Sequence, residues 1–238
     1  MNKPDLNESI ETVKSQEYWD KITDVTLQPP KVTTNFEYEF AKWYEEVIFQ
    51  ATLMIEDWEN LMGVSHACAI GCTTCCSQLI EIYDFELVVI VTYIKTHTLE
   101  YIMEKAIPAA DFIEHTFGHS HSQNDQLDVK EAFDQKMNYR SHFVPCIFLQ
   151  DHTCLIYPVR PSSCANYYSY GHKNDCTKEK QIPKNCRNFD AIEDWIILQI
   201  EAFFTHNQET VPHYLDPYNL RYVPIAIRDS LIDLYIDK

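Results

Sequence analysis

The sequence predicts a mainly α-helical protein in which two cysteine-rich loops and a small β-hairpin interrupt the helices. Long stretches place apolar residues at intervals of three and four, which is the period of an α-helix. Only 4 glycines occur in 238 residues, few for a fold built on tight turns. The segment 139–187 has little periodicity and is rich in Cys, Pro, Asn, Ser and His, so it is predicted to form loops.

The N-terminal third contains the clearest helix signal. Residues 1–34 are polar and are predicted to be a tail with one helix near 8–21. Residues 35–238 are predicted to form a single helical metal-binding domain, whose cysteine-bearing core spans about 65–190. Gly63 should end the first long helix, because glycine accepts the left-handed conformation found after helix C-termini. The apolar stripe of that helix is Phe36, Phe40, Trp43, Val47, Ala51, Met54, Trp58 and Leu61. Its acidic face is Glu37, Glu45, Glu46, Glu56, Asp57 and Glu59.

The later elements are shorter. Asp84 is predicted to cap a buried helix, and Pro108 is predicted to kink another. Val144–Leu149 and Thr153–Tyr157 flank a three-residue connection, which predicts the hairpin. The predicted helices after the first cysteine group cover 84–94, 99–117, 127–137, 189–203 and 224–236.

Charge and the N-terminal residues limit the function classes. The formal net charge of −17 would repel phosphate backbones and anionic lipid headgroups, so we expect no nucleic-acid or membrane role. The N-terminus has no apolar stretch after a basic start, which argues against a signal peptide. The longest apolar run, 87–91, is far below the roughly 18 residues of a membrane span. A cytoplasmic protein is expected, in a reducing compartment where structural disulfides are rare.

Nine cysteines fall into two groups along the chain. The first is a C-x3-C-x2-C-C string of Cys68, Cys72, Cys75 and Cys76. The second is spread over Cys146, Cys154, Cys164, Cys176 and Cys186. Closely spaced thiolates can converge on one ion or cluster, so all nine are candidate metal ligands. Adjacent cysteines usually point apart, so Cys75 and Cys76 should serve two different metals unless one of them is not a ligand.

Two kinds of metal fit these cysteines. Eight thiolates could close two tetrahedral zinc sites. Three closely spaced thiolates with a distant fourth are also a common arrangement around a 4Fe-4S cluster, and we expect iron–sulfur with zinc as the alternative. The C-x3-C-x2-C spacing also matches radical enzymes that use S-adenosylmethionine. Their β/α barrels need a succession of strands and glycine-bearing turns that this sequence does not offer.

Four cysteine motifs follow one another along the chain: Cys68/Cys72/Cys75-Cys76, Cys146-Ile-Phe-Leu149, Cys154-Leu-Ile-Tyr157 and Arg160-Pro-Ser-Ser-Cys164. Taken in order, they resemble the YkgJ-type cysteine-cluster family, a zinc- or iron-chelating domain. Ala165 stands where that family usually has Arg, and either Cys176 or Cys186 could be its trailing cysteine. The resemblance implies a metal-binding domain without implying one reaction. A flagellin lysine N-methylase has a related cluster, which extends the implication to an iron–sulfur centre that modifies a protein side chain.

Several other residues are candidates for the site, and each also has a plain structural explanation. His66 and His152 each lie two residues before a cysteine. Each could be a metal ligand, a hydrogen-bond donor to a sulfur, or an exposed loop side chain. Arg160 could offset thiolate charge, bind carbonyls or pair with a carboxylate. Glu81 and Glu86 could transfer protons or occupy a solvated helix face. A three-histidine site is conceivable at His115, His119 and His121.

Two hypotheses of function follow. The first is an iron–sulfur protein that acts in methyl transfer to a protein side chain or in redox work. The second is a zinc-stabilised interaction module without catalysis, whose acidic helical surface meets a protein partner. The sequence leaves open whether the chain is an enzyme. Under either hypothesis, we expect a protein partner or a protein substrate.

Overall fold

A computed structural model describes residues 6–22, 24–68, 71–97, 99–117, 129–170, 186–212, 215 and 219–236. The predicted mainly α class is confirmed. The helices are α1 Leu6–Ile22, α2 Phe36–Met62, α3 Asp84–Thr96, α4 Met103–Phe117, α5 Val129–Ser141, α6 Ser162–Ala165, α7 Asp190–His206 and α8 Val223–Ile236.

The strands are short and pair in antiparallel twos. β1 (Glu81–Tyr83) pairs with β6 (Leu220–Tyr222), β2 (Leu149–Gln150) with β3 (Thr153–Cys154), and β4 (Tyr167–Ser169) with β5 (Cys186–Asn188). The β2–β3 pair is the predicted hairpin, with shorter strands. Asp151 and His152 form its turn with φ of 47° and 62°, the left-handed conformation that matches strand twist in a two-residue hairpin turn. The other two pairs were not predicted.

Helix α2 organises the core and follows the predicted stripe along most of its length. The Asn35 side chain accepts a hydrogen bond from the Tyr38 N–H at 3.0 Å, and Gly63 ends the helix with φ of 65°. The stripe turns near the C-terminus, where Leu61 is 51% exposed and Glu59 is buried. The predicted placement of these two residues was therefore wrong, because Glu59 finds polar partners inside the protein.

The polar N-terminal segment packs against the helical core. Trp19 stacks on Trp58 with ring centroids 6.0 Å apart. Further along the segment, the Val25 carbonyl accepts a hydrogen bond from the Trp195 indole at 2.7 Å. The Val32 N–H donates to the Asn207 side chain at 2.8 Å. The division of the chain into a tail and one domain stays a prediction.

Helix α3 is buried almost all round, as its apolar run predicts, and it packs between α2 and α8. Its N-cap is Tyr83 and not Asp84, whose carboxylate accepts hydrogen bonds from Asn219 and Arg221. Helix α4 continues through Pro108 and packs along α8. Among the described residues, no helix is both long enough and apolar enough to cross a membrane.

Candidate metal centre

Seven of the nine cysteines are described with their side chains, and none of the seven forms a disulfide. Cys75 and Cys76 lie in a tight 3-10 turn, Thr74–Ser77. Cys176 lies outside the described residues, and Cys186 is placed by its backbone in β5. The others are Cys68 and Cys72 in the loop after α2, Cys146 just before the hairpin, Cys154 on β3 and Cys164 in α6.

Four sulfurs lie close enough that each interacts electrostatically with the other three, and we call them the four-thiol set: Cys75, Cys146, Cys154 and Cys164. Burial raises the pKa of Cys146 to about 12 and raises that of Cys164 well above its usual value. Like charge on neighbouring thiolates adds to both effects. Without a compensating cation, these thiols therefore stay protonated at neutral pH.

The two cysteine groups of the sequence meet at the Cys75-Cys76 dipeptide. The Cys146 N–H donates to the Cys76 carbonyl at 2.6 Å, which ties the first loop to the hairpin segment. The side chains of Cys75 and Cys76 hydrogen-bond to each other, and this bond, followed by burial, raises the pKa of Cys75. One cysteine of the compact string thus belongs with three from the dispersed group.

Backbone N–H groups point at two sulfurs of the four-thiol set. The Phe148 N–H donates to the Cys146 sulfur, and the Ile156 N–H donates to the Cys154 sulfur. In both cases the donor lies two residues after the cysteine. Burial raises the pKa of both thiols, and these hydrogen bonds act in the opposite direction because they favour the thiolate. Hydrogen bonds to ligand sulfurs are also among the features that tune iron–sulfur clusters.

The guanidinium of Arg160 is buried beside this set, with the residue only 9% exposed. It donates to the Tyr168 hydroxyl at 3.1 Å and lies 4.2 Å from the Tyr157 ring centroid. Its charge opposes the pKa increases of Cys75, Cys154 and Cys164. Its Nε has no hydrogen-bond partner, and no described carboxylate pairs with it. A buried cation of this kind needs negative charge nearby.

Glu86 has a role other than the two proposed from sequence. It is 1% exposed, so the prediction of a solvated helix face was wrong. Its carboxylate accepts hydrogen bonds from the Ser162 N–H at 2.7 Å, the Tyr83 N–H at 3.0 Å and the Tyr44 hydroxyl at 2.9 Å. Burial raises the pKa of Glu86 against these hydrogen bonds. Glu86 therefore anchors α6, the short helix that carries Cys164.

The remaining polar candidates lie apart from the four-thiol set or serve other contacts. Glu81 lies on β1 and pairs with Lys136 at 3.1 Å. Asp84 pairs with Arg221 at 2.6 Å. His152 is exposed in the hairpin turn, and His115 is exposed near the end of α4. His119 and His121 lie outside the described residues.

Cys68 lies in a loop beside the β4–β5 pair of strands. The Ala67 N–H donates to the Ser169 carbonyl at 2.7 Å, and the Ser169 N–H donates to the Cys68 sulfur at 3.4 Å. Ser169 is in register with Cys186 on β5. Ser169 therefore links the Cys68 loop to the β5 backbone at Cys186, although 118 positions separate the two cysteines in the chain.

Sequence reasoning missed Glu59, Tyr44, Tyr168 and Tyr170 as residues of this region. Only Glu59 left a signal. It lies four residues after the buried Ile55 and one after the buried Trp58, so helical spacing already put it on the buried side of α2. The tyrosines lie among other aromatic residues, where their hydroxyl contacts leave no trace in the pattern.

Across the described ranges, no group of three or more His, Cys, Asp or Glu side chains is arranged to hold a metal ion. Metal binding would therefore have to draw the sulfurs of the four-thiol set together. The chemistry of the four-thiol set nevertheless fits thiolate ligation of a metal, since the set combines clustered thiols, N–H donors to sulfur and a buried guanidinium. No family model, curated protein or solved structure matches this chain.

Proposed function

We propose that this chain is a metal-binding cysteine-cluster protein whose principal centre is an iron–sulfur cluster held by Cys75, Cys146, Cys154 and Cys164. One observation carries the proposal, namely the buried Arg160 guanidinium beside these four sulfurs with no described carboxylate to balance it. Four thiolates around a metal centre would supply that balance. The several kcal/mol that a buried unpaired charge costs would then be offset in the metal-bound protein.

Arg160 supports a thiolate centre without choosing its metal. Zinc with four thiolates and a 4Fe-4S cluster with four thiolates both carry net negative charge. The choice of iron rests on the ordered motifs of Cys68 through Cys164 and their resemblance to YkgJ-type proteins. An iron–sulfur cluster held by four thiolates would supply electron transfer, and the resemblance favours methyl transfer to a protein side chain or redox work.

The chain's own residues would hold, orient and shield such a centre. The Phe148 and Ile156 N–H groups would orient two of the sulfurs. Glu86 and Tyr44 would fix the segment that begins at Arg160, because Tyr44 also donates to the Arg160 carbonyl at 3.2 Å. These contacts come from three helices and a hairpin, so they would hold the surrounding backbone in place while the sulfurs draw together around a metal.

Three described sulfurs lie outside the four-thiol set and are proposed as ligands of a second group: Cys68, Cys72 and Cys76. The register of β4 and β5 supports Cys186, rather than Cys176, as a further ligand there, because Ser169 both pairs with Cys186 and donates to the Cys68 sulfur. This choice between the two trailing cysteines was left open by the sequence.

Purification without oxygen, followed by iron, zinc and sulfide analysis, tests the proposal. We expect a brown protein with roughly four irons and matching sulfide for a cubane cluster. Cys164→Ser should lose this iron, whereas Cys176→Ser, the matched control, should keep it. Iron loss on Cys176→Ser would contradict the assignment of the cluster to the four-thiol set. A protein that binds neither iron nor zinc under reducing conditions would refute a metal centre altogether.

A zinc-stabilised interaction module is the second candidate. The observation that favours it is a pair of exposed apolar side chains one turn apart on α2, Phe49 at 56% and Leu53 at 37% exposure. Exposed apolar residues on an acidic helix suit contact with a protein partner. Colourless protein with stoichiometric zinc that unfolds when zinc is chelated would establish this candidate and exclude the iron centre.

A further inference from the structure

Glu59, His66 and Tyr170 form a hydrogen-bonded chain at the edge of the cysteine region. His66 Nδ1 lies 2.6 Å from Glu59 Oε1. The Tyr170 hydroxyl donates to the same carboxylate oxygen at 2.7 Å. Glu59 comes from α2 and is 7% exposed, whereas the His66 side chain is 28% exposed. A buried carboxylate therefore holds a partly accessible imidazole by one nitrogen.

This contact determines what the other ring nitrogen can do. The Glu59 oxygen already acts as a hydrogen-bond acceptor toward Tyr170, so Nδ1 is the donor in its contact with Glu59. In a neutral imidazole with a protonated Nδ1, Nε2 carries the lone pair. Among the described residues, Nε2 has no hydrogen-bond partner. An imidazole whose Nδ1–H donates to a carboxylate is the usual arrangement of metal-binding histidines.

His66 and Cys68 both lie along strand β4. Cys68 follows it by two residues, and the intervening Ala67 is bonded to Ser169 of β4, whose N–H donates to the Cys68 sulfur. The His66 ring lies 4.8 Å from the Tyr168 ring on the same strand. The main chain at 66–68 is thus held along β4, with an oriented imidazole at one end and a hydrogen-bonded sulfur at the other.

A purely structural role is the alternative, in which Glu59 and His66 only tie the loop to α2. That role would not need a buried carboxylate with two donors on one oxygen. The chain offers a comparison in His152, which also lies two residues before a cysteine. His152 is exposed in its turn, with no hydrogen bond or ion pair described for it. The spacing alone therefore does not produce the Glu59 contact.

We propose that His66 binds a metal ion through Nε2 together with Cys68, so that the second ligand group is a mixed nitrogen–sulfur site distinct from the four-thiol set. Combined imidazole and thiolate ligands suit a borderline-soft divalent ion such as Zn²⁺. Glu59 is a positioning residue, because it sets the tautomer and orientation of the ring. This inference rests on the proposed function in taking the chain to bind metal.

X-ray absorption at the zinc edge tests the ligand assignment on full-length protein reconstituted with Zn²⁺ alone. We expect a nitrogen shell at about 2.0–2.1 Å beside a sulfur shell at about 2.3 Å. His66→Gln should remove the nitrogen shell and weaken one zinc equivalent. His152→Asn, the matched control, suits the positive φ of its turn and should leave both shells and the zinc content unchanged.

Glu59→Gln tests the positioning role separately. Its side chain can still accept a hydrogen bond from Nδ1–H, so the nitrogen shell should persist while zinc affinity falls by roughly 10- to 100-fold. Glu59→Gln with unchanged affinity would refute the positioning role. Circular dichroism of each metal-free variant shows whether it folds, and the wild-type spectrum decides the ligand question without any variant.

The outcomes separate the inference from the proposed function. A sulfur-only shell on zinc bound at full stoichiometry overturns the His66 assignment and leaves the metal-binding function in place. A nitrogen shell that survives in His66→Gln but disappears in His152→Asn overturns it as well. Failure of the reduced wild-type protein to bind any zinc or iron overturns the proposed function and this inference with it.

Discussion

Replacing Arg160 with Met should affect the metal-free and the metal-loaded protein differently. Met keeps much of the apolar stem of the side chain but removes the charge. In the metal-free protein the guanidinium is buried without a described carboxylate partner, so its removal relieves a desolvation cost. In the loaded protein, the same change removes the cation that faces the proposed thiolate centre.

The contacts of Arg160 set the size of the effect. The hydrogen bond to Tyr168 contributes about 0.5–1.5 kcal/mol, and the contact with the exposed Tyr157 ring contributes about 0.5–1 kcal/mol. Relief of desolvation offsets these losses, so the unfolding free energy of the metal-free variant should change by less than about 1 kcal/mol. Loss of the charge pair in the loaded protein should cost about 3 kcal/mol, roughly a hundredfold in metal affinity.

Urea unfolding of both forms, with metal competition by a chelator, measures the two values. Arg221→Met is the matched control, because Arg221 has its own carboxylate partner in Asp84 at 2.6 Å. That control should destabilise the metal-free and loaded proteins by the same amount. An Arg160→Met variant that loses about 3 kcal/mol in the metal-free protein would refute the reasoning, since Arg160 would then be balanced without a metal centre.

Three further changes test the fold that supports the site. Glu86→Ala should lower the unfolding free energy by about 3–5 kcal/mol in urea, because three donors lose their acceptor. The control Glu45→Gln, at a partly exposed carboxylate, should cost under about 1 kcal/mol, and equal effects would contradict the burial of Glu86. Gly63→Ala should cost about 1 kcal/mol through its φ of 65° alone, since nothing lies within 4 Å of the added Cβ, and a more stable variant would contradict this. Asn207→Ala removes the acceptor of the Val32 N–H, so limited proteolysis should cut residues 24–34 faster than in wild type.

Periodic helices were the part of the fold that the sequence could predict. The stripe from Phe36 to Leu61 predicted α2 to within a residue, because a helix with one buried face repeats its apolar residues every three or four positions. The β1–β6 and β4–β5 ribbons were not predictable in this way. Each strand has three residues, too few for alternation to show, and its partner lies far along the chain.

The grouping of the cysteines illustrates the same limit at the site. Spacing along the chain placed Cys75 with Cys68 and Cys72, because nearby residues in a loop can converge. In the structure, Cys75 interacts with Cys146, Cys154 and Cys164. The cause is a backbone contact between the two loops, and sequence spacing carries no information about such contacts. The motif therefore identified the cysteines as candidate metal ligands but could not assign them to separate ligand groups.

The side chains of the adjacent Cys75 and Cys76 connect the two proposed ligand groups. Adjacent cysteines were expected to point apart, yet these two side chains hydrogen-bond to each other. That bond, more than burial, raises the pKa of Cys75, because it favours the protonated thiol. Metal binding by Cys75 has to release this proton, since only the thiolate is a ligand. In the proposed centres the two sulfurs would therefore not load independently. The Cys76 carbonyl also accepts a hydrogen bond from the Cys146 N–H, so metal bound by one group would affect the other.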